Sequence, residues 1–212
     1  MIEKILPSWV ASAEAFDDPA EATLFPEEER YIAPAVAKRR REFTTARHCA
    51  RRAMARLGVP PAPIVPGERG APGWPPGVVG AMTHCDGYRA AALSLEAVTI
   101  GIDAEPNAPL PDGVLDVVAL PAERLALGDM HRDMHGGVHW DRLLFSAKES
   151  VYKAWFPLAR RWLGFEEAEI ELDPAGTFRA RLLVPGPRGL TGFDGRWLCE
   201  SGLVVTAITL PD

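Results

Sequence analysis

Residues 98–113 read VTIGIDAEPNAPLPDG, and the division inside this stretch decides how the chain is organised. From Val98 to Glu105 the pattern predicts a strand. The two-residue period puts Ile100, Ile102 and Ala104 on one face and Gly101, Asp103 and Glu105 on the other. Pro106 ends the pairing, and residues 106–113, with prolines at 106, 109 and 111 and a glycine at 113, predict a loop. The seam is therefore placed near 104–113, with an N-terminal half over 1–105 and a C-terminal half over 106–212.

On the N-terminal side, Pro26–Leu57 is helical in character. Pro26-Glu27-Glu28-Glu29 forms an acidic first turn, and Gly58, Pro60 and Pro61 form the stop. Two helices share this stretch. Residues 58–77 are rich in Pro and Gly and predict a loop with one short edge strand at Ile64-Val65. Val78–Thr83 and Ala90–Leu95 predict strands on either side of a turn-like His84–Arg89 that contains Asp86-Gly87. On the C-terminal side, Val114–Leu127 and Trp140–Phe156 predict helices, and Gly164 closes that region. Ala168–Leu172, Thr177–Leu183 and Leu203–Leu210 predict strands. Helices followed by a small antiparallel meander thus occur twice, which makes the fold class α+β. A short echo between Phe43–Arg47 with Arg51 and Phe145–Glu149 with Lys153 agrees with a duplication but is too brief to establish one.

A chain of 212 residues, 47% hydrophobic, can bury the core of one large or two small domains. Its formal charge of −6 argues against a general nucleic-acid binder. The positive charge is bunched at Lys38–Arg41, Arg47, Arg51, Arg52, Arg56 and Arg160-Arg161, which points to discrete anionic ligands. Cys49, Cys85 and Cys199 are odd in number and far apart, so they suggest neither a disulfide framework nor a zinc site and suit a reducing cytoplasm. No run approaches the ~20 apolar residues that span a bilayer, so no membrane attachment is expected.

The chemistry-bearing residues fall in two motifs. Asp103 and Glu105 project side by side at a strand end, where hard carboxylate oxygens suit Mg²⁺; an exposed acidic strand end would look the same. The missing side chain of Gly101 leaves room for something to lie close. In FSAKESVYKAW (145–155), Glu149 and Lys153 share a helix face at i and i+4, with Lys148 flanking them. That spacing also describes an ordinary surface ion pair. Phe145, Tyr152, Trp155 and Phe156, however, are too apolar for a free surface helix and predict a packed one.

Taken together, GIDAE (101–105) and FSAKESVYK (145–153) resemble the signature of the Sfp-type 4'-phosphopantetheinyl transferases. The similarity extends to KRRREFTTARHCAR (38–51), GVPPAPI (58–64), THCDGYR (83–89), LPDGVLD (110–116), HWDRLLFSAKES (139–150), YKAWFPL (152–158) and RWLGFE (161–166). It covers most of residues 30–170 and looks like the PptT/EntD-like branch of actinobacteria.

The resemblance implies a pseudo-twofold pair of similar α+β halves with the active site in the cleft between them. It implies Mg²⁺, with Mn²⁺ as a substitute, held by Asp103, Glu105 and Glu149. Coenzyme A is the implied co-substrate, with Lys148 and Lys153 at its phosphates, Thr83 and His84 near the 3'-phosphate, and Arg40 and Arg47 around the adenosine diphosphate. Arg69 stands where related sequences often carry lysine, which keeps the charge but changes the geometry. The implied partners are apo acyl- and peptidyl-carrier proteins of fatty-acid, polyketide or nonribosomal peptide synthesis. A chain that builds its own site between two halves is expected to be a monomer. Glu149 is the expected base for the carrier serine, because it lies on a different element from the other two carboxylates. Lys153 is expected to neutralise charge on the phosphates.

His131, His135 and His139 have the spacing of a zinc site, but Gly136-Gly137 interrupts the helix, so a polar loop is preferred. Cys85 is expected to be a packed thiol rather than a nucleophile. Tyr88 and Trp74 are candidates for the core or for a pantetheine tunnel, and Arg160-Arg161 for meeting an acidic partner. Two rival classes remain: another Mg²⁺ enzyme acting on phosphoanhydrides, for which no GxxxxGKS/T loop is present, and a noncatalytic coenzyme A-binding module.

Overall fold

The computed structural model describes residues 1–132 and 137–212. Its N-terminal half runs β1 (Ala11–Ala15), α1 (Pro26–Ile32), α2 (Ala37–Arg56), β2 (Val79–Cys85) and β3 (Tyr88–Ser94). Then follow β4 (Ala97–Pro106), α3 (Val114–Val118), α4 (Pro121–Arg132), α5 (Trp140–Ala159), β5 (Ala168–Asp173), β6 (Thr177–Leu182), β7 (Gly192–Glu200) and β8 (Leu203–Pro211). One antiparallel sheet has the order β1-β3-β2 and the other β4-β8-β7-β6-β5. Each unit is a strand, then helices, then a meander, and in each the opening strand pairs with the last one: β1 with β3, β4 with β8.

Small side chains set the layering. Cys49, Ala50, Ala53 and Met54 of α2 pack on Ala13, Ala15, Ala91 and Leu93 of the first sheet. On the other side of that sheet, Ala81, Tyr88, Ala90 and Ala92 meet Ile100, Ile102 and Ala104 of β4. The second sheet carries α5 through Leu144, Ala147, Val151 and Trp155, which cluster with Ile170, Phe178, Val204 and Ile208. The order is thus α2, first sheet, second sheet, α5, and β4 is covered on both faces.

Several elements depart from the sequence expectation for identifiable reasons. β1 (ASAEA) has poor strand propensity, but its alanines allow α2 to sit close. In β7, Gly192, Asp194 and Gly195 read as turn residues. Gly195 is there because a Cβ would lie 2.1 Å from Cζ of Phe178, whose ring crosses the strand. The β2–β3 turn is tighter than expected: Cys85 pairs with Tyr88, leaving only Asp86-Gly87, with Gly87 at φ +73. His84 is therefore a strand residue paired with Arg89. The helix expected over Val114–Leu127 is two, broken before Pro121. α5 continues through Pro157 to Ala159. Ile64 is not in a strand; its N–H donates to Glu28 Oε1 at 2.7 Å and its carbonyl accepts from Arg47 Nε at 2.9 Å. β4, placed before the 105/106 seam, takes its hydrogen bonds from β8. Of the suggested zinc triad, His135 lies outside the described residues, as does the side chain of His131.

Candidate active site

The site begins at Gly101. A Cβ there would lie 2.0 Å from the Ser150 carbonyl oxygen and 2.8 Å from the Ala154 nitrogen, so the glycine lets the β4 backbone run against the α5 backbone. Thr99, on the same face, donates its hydroxyl to the Ala154 carbonyl at 2.7 Å. Two and four residues further along that face are Asp103 and Glu105, brought to the side of α5 that carries Glu149 and Lys153.

Asp103 is buried. Its Oδ1 accepts from Lys153 Nζ at 2.7 Å and from Thr83 Oγ1 at 3.2 Å, while its buried Oδ2 has no partner among the described residues. Thr83 also accepts the Ala104 N–H at 3.1 Å, tying β2 to β4, and Lys153 donates to the Ile102 carbonyl at 3.0 Å. Glu105 accepts from Arg142 Nη1 at 3.0 Å. Arg142 is held in turn by the carbonyls of Ala108 and Pro109, and was not anticipated from the sequence. Burial, then the charge of Asp103, pushes the Glu105 carboxyl above the ordinary range, against the pull of Arg142. Glu149 is half-buried and accepts no hydrogen bond among the described residues. Burial raises its pKa, Lys153 opposes this and Asp103 adds to it. Among the described residues no three acidic or histidine side chains converge on one point, so Asp103, Glu105 and Glu149 share a region without forming a ready-made cluster.

A cleft of about 730 Å³ opens beside these groups, between α2 and the 66–74 loop on one side and α5 on the other, with β2 as its floor. His84 lies in it with Nε2 against Arg39 Nη1, and its Nδ1 is 3.5 Å from Glu42 Oε2. Because a guanidinium only donates, Nε2 accepts and the proton sits on Nδ1. Burial, followed by the Arg39 charge, lowers the His84 pKa to about 4. Arg39 lines the cleft beside His84, whereas Arg40, expected around the adenosine diphosphate, is exposed and does not line it. Arg47 lines it but is heavily engaged. It bonds to the carbonyls of Ile64 (2.9 Å) and Phe43 (3.3 Å) and lies 3.1 Å over the Phe43 ring. Burial lowers its pKa to about 10. Fully buried Glu28 anchors this corner, accepting from Arg51, Ile64 N–H and Phe25 N–H. In the sequence it reads only as part of an acidic first turn.

Arg69 is on the cleft wall at φ 52, its guanidinium 5.5 Å over Trp162. Lys148 stands apart, its ammonium turned to Glu123 and to the carbonyls of Phe165 and Ala168. Beside Glu149 a small recess of about 70 Å³ is lined by Lys148, Tyr152, Trp162, Leu163 and Phe165. The buried Tyr152 hydroxyl there has no hydrogen-bond partner among the described residues. Trp74 is on the cleft wall, while Tyr88 is in the core with its hydroxyl on Glu14. The Cys85 thiol is pushed up to about 12 by burial and nearby carboxylates, which leaves it unreactive. Arg160 lines the cleft and Arg161 pairs with Glu167.

A carboxyl whose pKa rises on folding destabilises the fold while it is charged, and that effect disappears as pH falls through the folded pKa. Glu149→Gln should therefore raise the melting temperature at pH 8, by about 2–4 °C for each kcal/mol relieved. The gain should fade as the pH approaches the ordinary glutamate value of 4.5. Thermal melts of both proteins across this range check the direction, and turnover should fall in the same variant.

Acidic and basic side chains from both α+β units thus face one cleft, whose arginines suit a phosphate-bearing ligand. Residues 27–94 match the 4'-phosphopantetheinyl transferase N-terminal domain, and residues 99–203 match the 4'-phosphopantetheinyl transferase superfamily. The chain is 58% identical over 221 residues to 4'-phosphopantetheinyl transferase Svp of Streptomyces mobaraensis, covering 99% of this chain and 89% of Svp. It is 55% identical to 4'-phosphopantetheinyl transferase Npt of Nocardia iowensis over 98% of this chain and 99% of Npt. It is 52% identical to 4'-phosphopantetheinyl transferase PptT of Mycobacterium tuberculosis over 99% of this chain and 98% of PptT. The chain belongs to the 4'-phosphopantetheinyl transferase superfamily and is a transferase of that class.

Proposed function

We propose that the chain moves the 4'-phosphopantetheine arm of coenzyme A onto a serine hydroxyl of apo acyl- or peptidyl-carrier proteins, releasing 3',5'-ADP. One observation carries this reading for the residues themselves. A buried aspartate whose second oxygen has no partner among the described residues meets a lysine and a glutamate that accepts no hydrogen bond there, at the side of a cleft that Arg39, Arg47, Arg69 and Arg160 also line. Arg39, His84, Arg47 and Arg69 all precede residue 106, whereas Glu149 and Lys153 follow it. This suits an N-terminal half on the adenosine-phosphate side, although the strand that carries Asp103 and Glu105 pairs with β8 and so belongs, ahead of 105/106, to the second unit. No second chain is needed to complete the site, in keeping with a monomer. Among the described residues no helix is long and apolar enough to cross a membrane. The three cysteines are free, as suits a cytoplasmic protein.

The oxygen-only donors fit Mg²⁺, or Mn²⁺ in its place. Asp103 Oδ2 has an unused lone pair in a buried setting, and Glu105 and Glu149 carry raised pKa values that a nearby cation would lower. Asp103, Glu105 and Glu149 would hold the ion, with Glu105 giving up part of its bond to Arg142. When bound, the ion neutralises charge on the diphosphate oxygens. Lys153, already fixed by Asp103 and Ile102, has one N–H left for a phosphate oxygen. Glu149, on a different element from Asp103 and Glu105, takes the serine proton, directly or through a water, as the hydroxyl oxygen attacks the β-phosphorus. The bond from that phosphorus to the bridging oxygen breaks, and its electron pair leaves on 3',5'-ADP. The largely apolar recess beside Glu149, at about 70 Å³, suits one end of the pantetheine arm. Incubation with coenzyme A and Mg²⁺ should release 3',5'-ADP only when apo carrier is added; release without carrier would instead support a hydrolase.

His84 and Arg39 are assigned to the 3'-phosphate. A dianion beside them would form charge-assisted hydrogen bonds and draw a proton onto His84. Coenzyme A should therefore bind about tenfold more tightly than dephospho-coenzyme A. Arg39→Ala should narrow that gap, as titration calorimetry can measure. Equal losses for both ligands would place the 3'-phosphate elsewhere.

A further inference from the structure

Lys148 adjoins Glu149 in the sequence, yet its ammonium points away from the cleft. An ammonium has three donors, and here all three have acceptors: Phe165 O at 2.8 Å, Ala168 O at 2.9 Å and Glu123 Oε2 at 2.9 Å. The Lys148 and Glu123 side chains are each 2% exposed. Glu123 also accepts from Leu120 N–H at 2.7 Å and from Ile170 N–H at 2.6 Å. The pair therefore joins the start of α4, the middle of α5 and the segment leading into β5.

That segment is irregular, with one short 3-10 turn at Phe165–Glu167, and it supplies Trp162, Leu163 and Phe165 to the recess beside Glu149. Buried ion pairs seldom exceed apolar packing as a source of stability. Lys148 nevertheless donates to one carbonyl at each end of the 165–168 stretch, and Glu123 accepts from the N–H of Ile170. We propose that the Lys148–Glu123 pair is a positioning device that holds the recess wall, and so seats the end of the pantetheine arm that enters it, with the Lys148 stem lining the recess and its ammonium bonded to the wall rather than to the phosphates of coenzyme A. This rests on the assignment of the recess to that arm.

The test uses two ligands that share the adenosine, 3'-phosphate and 5'-diphosphate and differ only in the arm: coenzyme A and adenosine 3'-phosphate 5'-diphosphate. Lys148→Met alone strands a buried carboxylate and risks misfolding. The Lys148→Met/Glu123→Leu double variant removes both charges while still lacking the bonds to the wall, and thermal melts confirm that it folds. Its affinity for coenzyme A should fall by about tenfold or more. Its affinity for the arm-less diphosphate should stay within about twofold of wild type. Glu123→Gln should show the same selectivity and should raise KM for coenzyme A more than it lowers kcat. Parallel loss of both affinities in the double variant would make Lys148 a phosphate contact and overturn the proposal, as would unchanged coenzyme A affinity. Wild-type protein that bound the two ligands equally would remove the arm's seat, and the recess assignment with it.

Discussion

Asp103→Asn should lower turnover by about 10³-fold while leaving the protein folded. The substitution is isosteric at a buried position, and asparagine can still accept from the Thr83 hydroxyl, so the link between β2 and β4 survives. What disappears is the negative charge that holds Lys153 at 2.7 Å and the free carboxylate oxygen at Oδ2. Lys153 remains about a quarter exposed (27%) and can be hydrated once released, so no buried ammonium is stranded. The loss should appear in kcat, because the charge matters most where charge develops on the phosphates. Single-turnover kinetics alongside thermal melts separate the two effects. Wild-type kcat in the asparagine variant would remove Asp103 from the centre.

Gly101→Ala should have the largest effect on the fold. Its methyl group would lie 2.0 Å from one backbone atom of α5 and 2.8 Å from another, and neither belongs to a side chain that could turn aside. β4 and α5 must therefore separate, at a cost of about 3 kcal/mol or more, which corresponds to a fall in Tm of roughly 6–12 °C. The shift also moves Asp103 away from Lys153, so activity should fall below what the unfolded fraction explains. Ile102→Val on the opposite face of the strand is the control. It should cost only about 1 kcal/mol and keep most activity. A stable, active Gly101→Ala protein would show that the two elements do not depend on this close approach.

The strand at 98–105 and its two faces were legible because period-2 alternation and a terminal proline are local signals. The same holds for Glu149 and Lys153 on one helix face. β1 was not, since an alanine-rich strand is stabilised by the helix it admits rather than by its own propensity. β7 was hidden by two glycines set by the neighbouring strand: Gly195 makes room for the Phe178 ring and Gly192 for the Ala180 backbone. Whether Arg39 or Arg40 lines the cleft depends on which face of α2 is turned to it, since neighbouring helical residues point about 100° apart, and Arg142 and Glu28 become visible only once distant backbone groups are in place. The motif also suggested that Lys148 and Lys153 act alike. Burial separates them: Lys153 stays at the cleft, and Lys148 is enclosed with Glu123.

The central claim is tested most directly by weighing a purified apo carrier domain after incubation with this protein, coenzyme A and Mg²⁺, beside a carrier whose acceptor serine is changed to alanine. The account predicts that the serine carrier gains the mass of one phosphopantetheine, that the alanine carrier gains nothing, and that Asp103→Asn slows the gain about 10³-fold. An unmodified serine carrier, with coenzyme A bound or hydrolysed instead, would contradict it.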